Sequence, residues 1–126
     1  MTARRLQIAL AAVFFVLGGW CVVSPTSVLD LAIRPGFQSD APIVPILMAC
    51  FGAQALIAGL FAATSRFTRW TFLAYGIGLI PFFVFDAYYY FVIPALTEVG
   101  MIDLVGNLVM LGVCALGWRQ AKAEGV

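Results

Sequence analysis

Four apolar segments, each long enough to cross a bilayer as a helix, constrain this chain more than any other feature of its sequence. A membrane-spanning helix needs about 20 predominantly apolar residues. The segments cover residues 6–23, 43–63, 70–93 and 101–118, and none alternates polar with apolar residues. Because the hydrocarbon core offers no water to the backbone, helices satisfy the peptide groups of such segments. The sequence therefore predicts an all-α integral membrane four-helix bundle with up-and-down topology, forming one domain over residues 1–126.

The composition agrees with this class and excludes several others. The mean hydropathy is +1.04 and 10% of the residues are charged, against about 25% in an average soluble domain. Histidine is absent, which removes His-ligated metal sites and His-based acid–base catalysis. No run of lysine or arginine provides the footprint of a nucleic-acid-binding protein. We therefore expect the lipid bilayer as a partner, and no nucleic acid, metal or other cofactor.

The first apolar segment could be a cleaved signal peptide or a retained helix. Arg4 and Arg5 precede it, as basic residues precede a signal peptide. The segment ends in Gly19, Trp20 and Cys21, however, and no small-x-small cleavage site follows it. We therefore expect a retained membrane helix.

The basic residues predict the orientation of the chain. Six of them fall on one side of an up-and-down topology: Arg4, Arg5, Arg66, Arg69, Arg119 and Lys122. Only Arg34 falls on the other side. Because cytoplasmic loops carry an excess of Lys and Arg, we expect both termini in the cytoplasm and the chain in a bacterial inner (plasma) membrane.

The connection between the first two segments, residues 24–42, contains a short amphipathic stretch. Ser24 and Pro25 are typical of a helix start, and Pro35 with Gly36 ends the stretch. The pattern predicts a short helix lying in the membrane interface. It could serve as a lid or docking surface, but a stiff connector that hides its apolar face among headgroups is the favoured interpretation.

Polar side chains inside the apolar segments are costly and therefore informative. By helical rise, Asp86 lies roughly 10 Å, Asn107 roughly 9 Å and Gln54 roughly 16 Å from the outer boundary. Asp103 lies one turn before Asn107 on the same face. No basic residue shares the depth of Asp86, so we expect Asp86 to turn inward and to hydrogen-bond to Asn107, Gln54 or a tyrosine.

Aromatic residues surround Asp86 in the sequence, and Tyr89 and Tyr90 share its helical face by their spacing. One hypothesis is an outer pocket with aromatic walls that binds an amphipathic or cationic ligand. The alternative is an interfacial aromatic belt with a structural hydrogen-bond cluster. The candidate ligand-binding residues, or intramembrane polar cluster, are Asp86, Asn107, Gln54, Asp103, Tyr89 and Tyr90.

Small residues predict that the first two segments pack together. In the second segment, Gly52, Ala55, Gly59 and Ala62 fall on one line of the helix surface. In the first segment, a similar line is formed by Ala9, Ala12, Val16 and Gly19. Small side chains let membrane helices approach closely, so we expect these two lines to face each other.

Three functions remain open. The favoured hypothesis is a non-enzymatic accessory or interaction subunit, which binds other membrane subunits or further copies of itself. The second is a small transporter or binder of lipophilic ligands that uses the pocket around Asp86. The third is a membrane enzyme acting on a lipid or quinone, with Asp86 or Asp103 as its acid or base. No nucleophile or phosphate-binding motif is present, so we assign no catalytic residue and favour a non-enzyme.

Overall fold

Four long helices and one short helix make up most of the computed structural model, which describes all of residues 1–126. In chain order the helices are α1 (Ala3–Val23), α2 (Pro25–Ala32), α3 (Ile43–Thr64), α4 (Arg69–Ala87) and α5 (Ile102–Ala123). A 3₁₀ turn (Pro35–Phe37) follows α2, and a π-helical turn (Tyr88–Val92) continues α4. The predicted all-α four-helix bundle is confirmed.

The surface of the bundle is suited to lipid. Helices α1, α3 and α5, and α4 with its π turn, are each long and apolar enough to cross a membrane. Large apolar side chains point away from the bundle: Val16, Phe61 and Phe91 are each more than 60% exposed. A soluble monomer rarely exposes so much contiguous apolar surface. By its helices the chain is therefore a small multi-pass membrane protein.

The helices begin and end near their predicted boundaries when the π turn is counted with α4, and the largest difference is then at the end of α5. The fourth apolar segment ends at Trp118, whereas α5 continues to Ala123. Hydropathy detects only the part of a helix that suits lipid, and the polar residues after Trp118 extend the same helix. Two helix starts are capped by threonine: Thr2 caps α1, and Thr68 forms a capping box with Thr71 at the start of α4.

Helices α1 and α3 pack together, as predicted, and their contact is the most extensive in the bundle. On α3 the predicted line is correct: Gly52, Gly59 and Ala62 are buried, and the partly buried Ala55 faces Gly18 of α1. On α1 the predicted line is wrong. Val16 is 70% exposed, and a Cβ placed on Gly19 would meet no atom within 4 Å.

A neighbouring line of α1 faces α3 instead. It consists of Ala11, Phe14, Gly18 and Cys21, which are the α1 residues nearest to the glycines of α3. Because residues 18 and 19 are both glycine, the spacing of small residues does not choose between the two faces. The close approach at Gly18 decides it: a Cβ there would lie 2.9 Å from the carbonyl oxygen of Gly52.

The long helices are arranged in the order α3, α1, α5, α4. The fully buried Phe72 of α4 packs on Gly117 of α5, and Leu17 of α1 lies over Gly106 of α5. Helices α3 and α4 are joined by a short turn at residues 65–68, yet their backbones do not pack against each other. This leaves a gap along the bundle between α3 and α4.

The two longer connections meet at one end of the bundle, which we call the loop end. The turn at residues 65–68 lies at the opposite end, which we call the turn end. Two backbone hydrogen bonds join the connections: Arg34 N–H donates to the Ala95 oxygen and Thr97 N–H donates to the Ala32 oxygen, both at 2.8 Å. The predicted helix in the first connection is present as α2, and its place in the membrane interface stays a prediction.

Candidate ligand-binding site

The gap between α3 and α4 opens into a cavity of about 510 Å³. All four long helices line it, and its walls are mainly apolar. Four of its lining residues are aromatic: Phe14, Phe51, Tyr75 and Phe82. Its volume lies within the range of about 300–1,000 Å³ that is usual for small-molecule pockets.

Two contacts join α3 to α4 and lie on either side of an opening into this cavity, which we call the window. Towards the turn end, the Tyr75 hydroxyl donates to the Ala58 carbonyl oxygen at 2.8 Å. Towards the loop end, the Phe51 and Phe82 ring centres are 6.1 Å apart. Between these contacts, Gly78 lines the cavity and a Cβ on it would meet no atom within 4 Å. The absent side chain at position 78 therefore leaves the window open.

Asp86, Asn107 and Asp103 form one hydrogen-bonded group beside the cavity. The Asn107 amide nitrogen donates to Asp103 Oδ2 at 3.0 Å and to Asp86 Oδ2 at 3.4 Å. Asp103 and Asn107 line the cavity, whereas Asp86 on α4 is not part of the lining. Asn107 is 2% and Asp86 6% exposed. The apolar cavity thus has a polar patch at the α5 wall.

The local sequence explains how this group forms. Asp103 and Asn107 are four residues apart, so α5 presents them on one face, one above the other. A carboxyl group facing lipid is costly, and Asp86 is instead turned towards α5, where the Asn107 amide meets it. A buried amide that reaches two acceptors satisfies both of its N–H groups.

The other three candidate residues lie apart from this group. Gln54 lines the cavity at the window, where its side chain is exposed and makes no hydrogen bond within the chain. Tyr89 is 42% exposed, and Tyr90 stacks under Arg34, 5.5 Å from the guanidinium carbon to the ring centre. Neither tyrosine lines the cavity. The cavity extends from the polar patch towards the turn end, whereas both tyrosines lie beyond Asp86 towards the loop end.

Two polar residues with a structural role, Tyr75 and Gln7, are not among the residues predicted from the sequence. Tyr75 lies five residues inside its apolar segment, and a hydroxyl group within the hydrocarbon needs a hydrogen-bond partner, which was the available signal. Gln7 lies at the turn end, is 3% exposed, and donates to the carbonyl oxygens of Ala62 and Ser65, both at 2.8 Å. The turn end therefore also contains a buried amide, whereas the polar residues selected from the sequence lie near the loop end or near the middle of their helices.

No three cysteine, aspartate or glutamate side chains are grouped closely enough to hold a metal ion. No protein-family model, curated protein or solved structure matches the chain. The functional conclusion therefore rests on the geometry of the cavity.

Proposed function

We propose that this protein binds an amphipathic small molecule that reaches the cavity from the bilayer through the window. The observation that carries the proposal is a cavity of about 510 Å³ inside a bundle whose other long-helix contacts are closely packed. Protein interiors normally leave few voids larger than a water molecule. An apolar space of this size with a few polar groups is typical of a ligand site.

The arrangement of the helices supports access from the side. The α1–α3, α1–α5 and α5–α4 contacts close the other three sides of the cavity. The window lies between α3 and α4, and Gln54 and Gly78 at its edge are exposed. Both residues are near the middle of their helices, so the window faces the hydrocarbon core. A molecule that uses it must already be dissolved in lipid.

The lining supports an amphipathic rather than a purely apolar ligand. Four aromatic rings and several small apolar side chains accept an acyl or ring body, while Asp103 and Asn107 offer a polar patch on one wall. A wholly apolar ligand would exclude water from the half-buried Asp103 carboxyl group and leave it with the Asn107 amide as its single hydrogen-bond donor, which is costly in a dry site. The polar end of the ligand therefore faces α5.

The other hypotheses for the function make different demands. An accessory or interaction subunit, alone or as a homo-oligomer, needs no open cavity, and it stays a prediction. A transporter needs the same site with a second opening, and a lipid- or quinone-directed enzyme needs Asp86 or Asp103 to move a proton. Binding is the step common to the last two, so it is the step to test first.

We expect Gly78→Phe to weaken binding about tenfold, because the ring fills the window from its edge. The probe is a twelve-carbon alcohol that carries a photoactivatable diazirine, added to the protein in phosphatidylcholine vesicles. Illumination followed by mass spectrometry locates the labelled residues. In the unmodified protein, Phe51 and Phe82 should be labelled more strongly than Phe61, which faces lipid. In Gly78→Phe this excess should fall by about tenfold, the loss of roughly 1.4 kcal/mol of binding.

The matched control is Gly112→Phe. Gly112 is also an exposed helical glycine with no atom within 4 Å of a built Cβ, but it lies on α5 outside the cavity. Labelling of the cavity should be unchanged in this variant. Equal labelling of Phe51, Phe82 and Phe61 in the unmodified protein, or equal effects of both glycine substitutions, would overturn the proposal.

We also propose that the turn end and both termini face the cytoplasm of a bacterial inner membrane. Six of the seven basic residues at the turn end support this orientation through the positive-inside rule. A reporter that is active only in the cytoplasm should work when fused to the C-terminus and should be silent when inserted at Gly36. The reverse result would contradict the proposal.

A further inference from the structure

We infer that the ligand carries a positively charged, hydrogen-bond-donating head group, such as a primary ammonium. This inference rests on the proposed function and goes beyond it, since it names the chemistry of the polar end. The hydrogen-bond donors, the hydrogen-bond acceptors and the charges around the cavity support it.

The hydrogen-bond donors of the cavity wall are almost all engaged within the protein. The four lining residues with polar side chains are Gln54, Tyr75, Asp103 and Asn107. Both N–H groups of Asn107 have carboxyl acceptors, and the Tyr75 hydroxyl donates to Ala58. Only the Gln54 amide, at the window, has a free donor. The polar patch on α5 therefore offers a ligand acceptors and no donors.

The charges around the cavity have one sign. Asp103 lines the cavity, and Asp86 lies behind it, since the Asn107 amide donates one hydrogen bond to each of the two carboxyl groups. No lysine or arginine lines the cavity. Arg34, the one basic residue at the loop end, donates from Nε to the Leu96 oxygen at 2.8 Å and stacks on Tyr90. It is thus occupied outside the site.

These observations select among head groups. A phosphate, sulfate or carboxylate at the polar patch would face the Asp103 carboxyl group, with Asp86 behind it, and would find no free donor. A primary ammonium has three donors for Asp103 and the Asn107 oxygen, and charge-assisted hydrogen bonds of this kind are stronger than neutral ones. The aromatic walls add to the preference, because a cation is attracted to the face of an aromatic ring. A neutral hydroxyl head fits less well, since it donates only once.

Three photoactivatable probes test this inference in phosphatidylcholine vesicles. They share one twelve-carbon diazirine chain and differ in the head group: primary ammonium, hydroxyl or sulfate. For each probe the labelling of Phe51 and Phe82 is divided by that of the lipid-facing Phe61 and Val84, which corrects for partition into the bilayer. We expect this ratio to be about tenfold higher for the ammonium than for the alcohol, as for one charge-assisted hydrogen bond in place of a neutral one. The sulfate should give the lowest ratio.

Asp103→Asn and Asp30→Asn make a matched pair of variants. Each removes one acidic charge, but Asp30 is an exposed residue of α2 that does not line the cavity. Asp103→Asn should reduce the ammonium preference to about threefold or less. The Asp86 carboxyl group then remains as the acidic partner, behind Asn107, and a single ion pair without good geometry contributes little to binding. This variant should leave the alcohol ratio unchanged. Asp30→Asn should change neither ratio.

The possible outcomes separate this inference from the proposed function. Equal ratios for the three probes, with the cavity still labelled, would overturn the inference and leave the binding function standing. A sulfate preference would do the same. Absence of cavity labelling by both the alcohol and the ammonium would overturn both. If Asp103→Asn does not fold, the order of the three probes on the unmodified protein decides alone.

Discussion

Gly52→Ala is expected to lower the free energy of unfolding by about 3 kcal/mol, the upper part of the range for overpacking a close contact. The added methyl group would lie 2.6 Å from Cβ of Cys21 and 2.7 Å from the Gly18 carbonyl oxygen. Both neighbours belong to the facing helix α1, and one of them is backbone, so relief requires α1 and α3 to move apart. The measurement is thermal unfolding in detergent, with an expected fall of about 10 °C in the midpoint.

Gly19→Ala is the control for this effect. Gly19 lies on α1 next to Gly18, but a Cβ there meets no atom within 4 Å. Alanine favours a helix over glycine by up to about 1 kcal/mol, so this variant should unfold at the unmodified temperature or slightly above it. If both alanine variants unfold at the same temperature, the close approach of α1 and α3 at Gly52 is wrong.

Gln7→Leu is expected to cost about 3 kcal/mol, because two carbonyl oxygens at the end of α3 lose their donor in a buried site. The last carbonyl groups of a helix have no partner within the helix, and the Gln7 amide supplies one to Ala62 and Ser65. Leucine has a similar size but cannot donate. Circular dichroism during heating in detergent measures the loss of stability. In a hydrogen-exchange experiment, the turn end of α3 should be the first helical region to lose protection.

Gln120→Leu is the matched control for Gln7→Leu. Gln120 lies at the same end of the bundle, is only partly buried, and donates to Glu124 at 3.4 Å. Its loss should change the stability by no more than about 0.5 kcal/mol, as for other surface positions. A Gln7→Leu protein that is as stable as Gln120→Leu would show that Gln7 does not hold the end of α3.

The helices of this protein could be predicted from sequence because each is constrained by its own composition. In a bilayer a long apolar segment has almost no alternative to a helix, so its position follows from hydropathy alone. Which face of a helix packs inward is less well determined. The glycines of α3 were placed correctly, but two adjacent glycines on α1 allowed two faces, and only the contact with Gly52 distinguishes Gly18 from Gly19.

The candidate site was predictable in part for the same reason. Depth and the four-residue spacing were enough to group Asp103 with Asn107, and the cost of a carboxyl group in lipid was enough to turn Asp86 towards them. The cavity depends on the order in which the helices pack. Helices α3 and α4 are adjacent in the chain, and adjacent antiparallel helices are expected to pack. Their separation, and with it the exposure of Gln54, has no signal in either segment.

The window changes the units in which affinity for this protein is meaningful. A ligand that enters between α3 and α4 equilibrates with the lipid phase, so occupancy depends on its mole fraction in the membrane and not on its molar concentration in water. Each added methylene favours the bilayer over water by about 0.8 kcal/mol. Two probes that differ by two methylenes therefore differ by about 15-fold in apparent affinity from water, even with identical contacts in the cavity. Expressed per lipid, that difference vanishes, and only the contacts with the cavity remain.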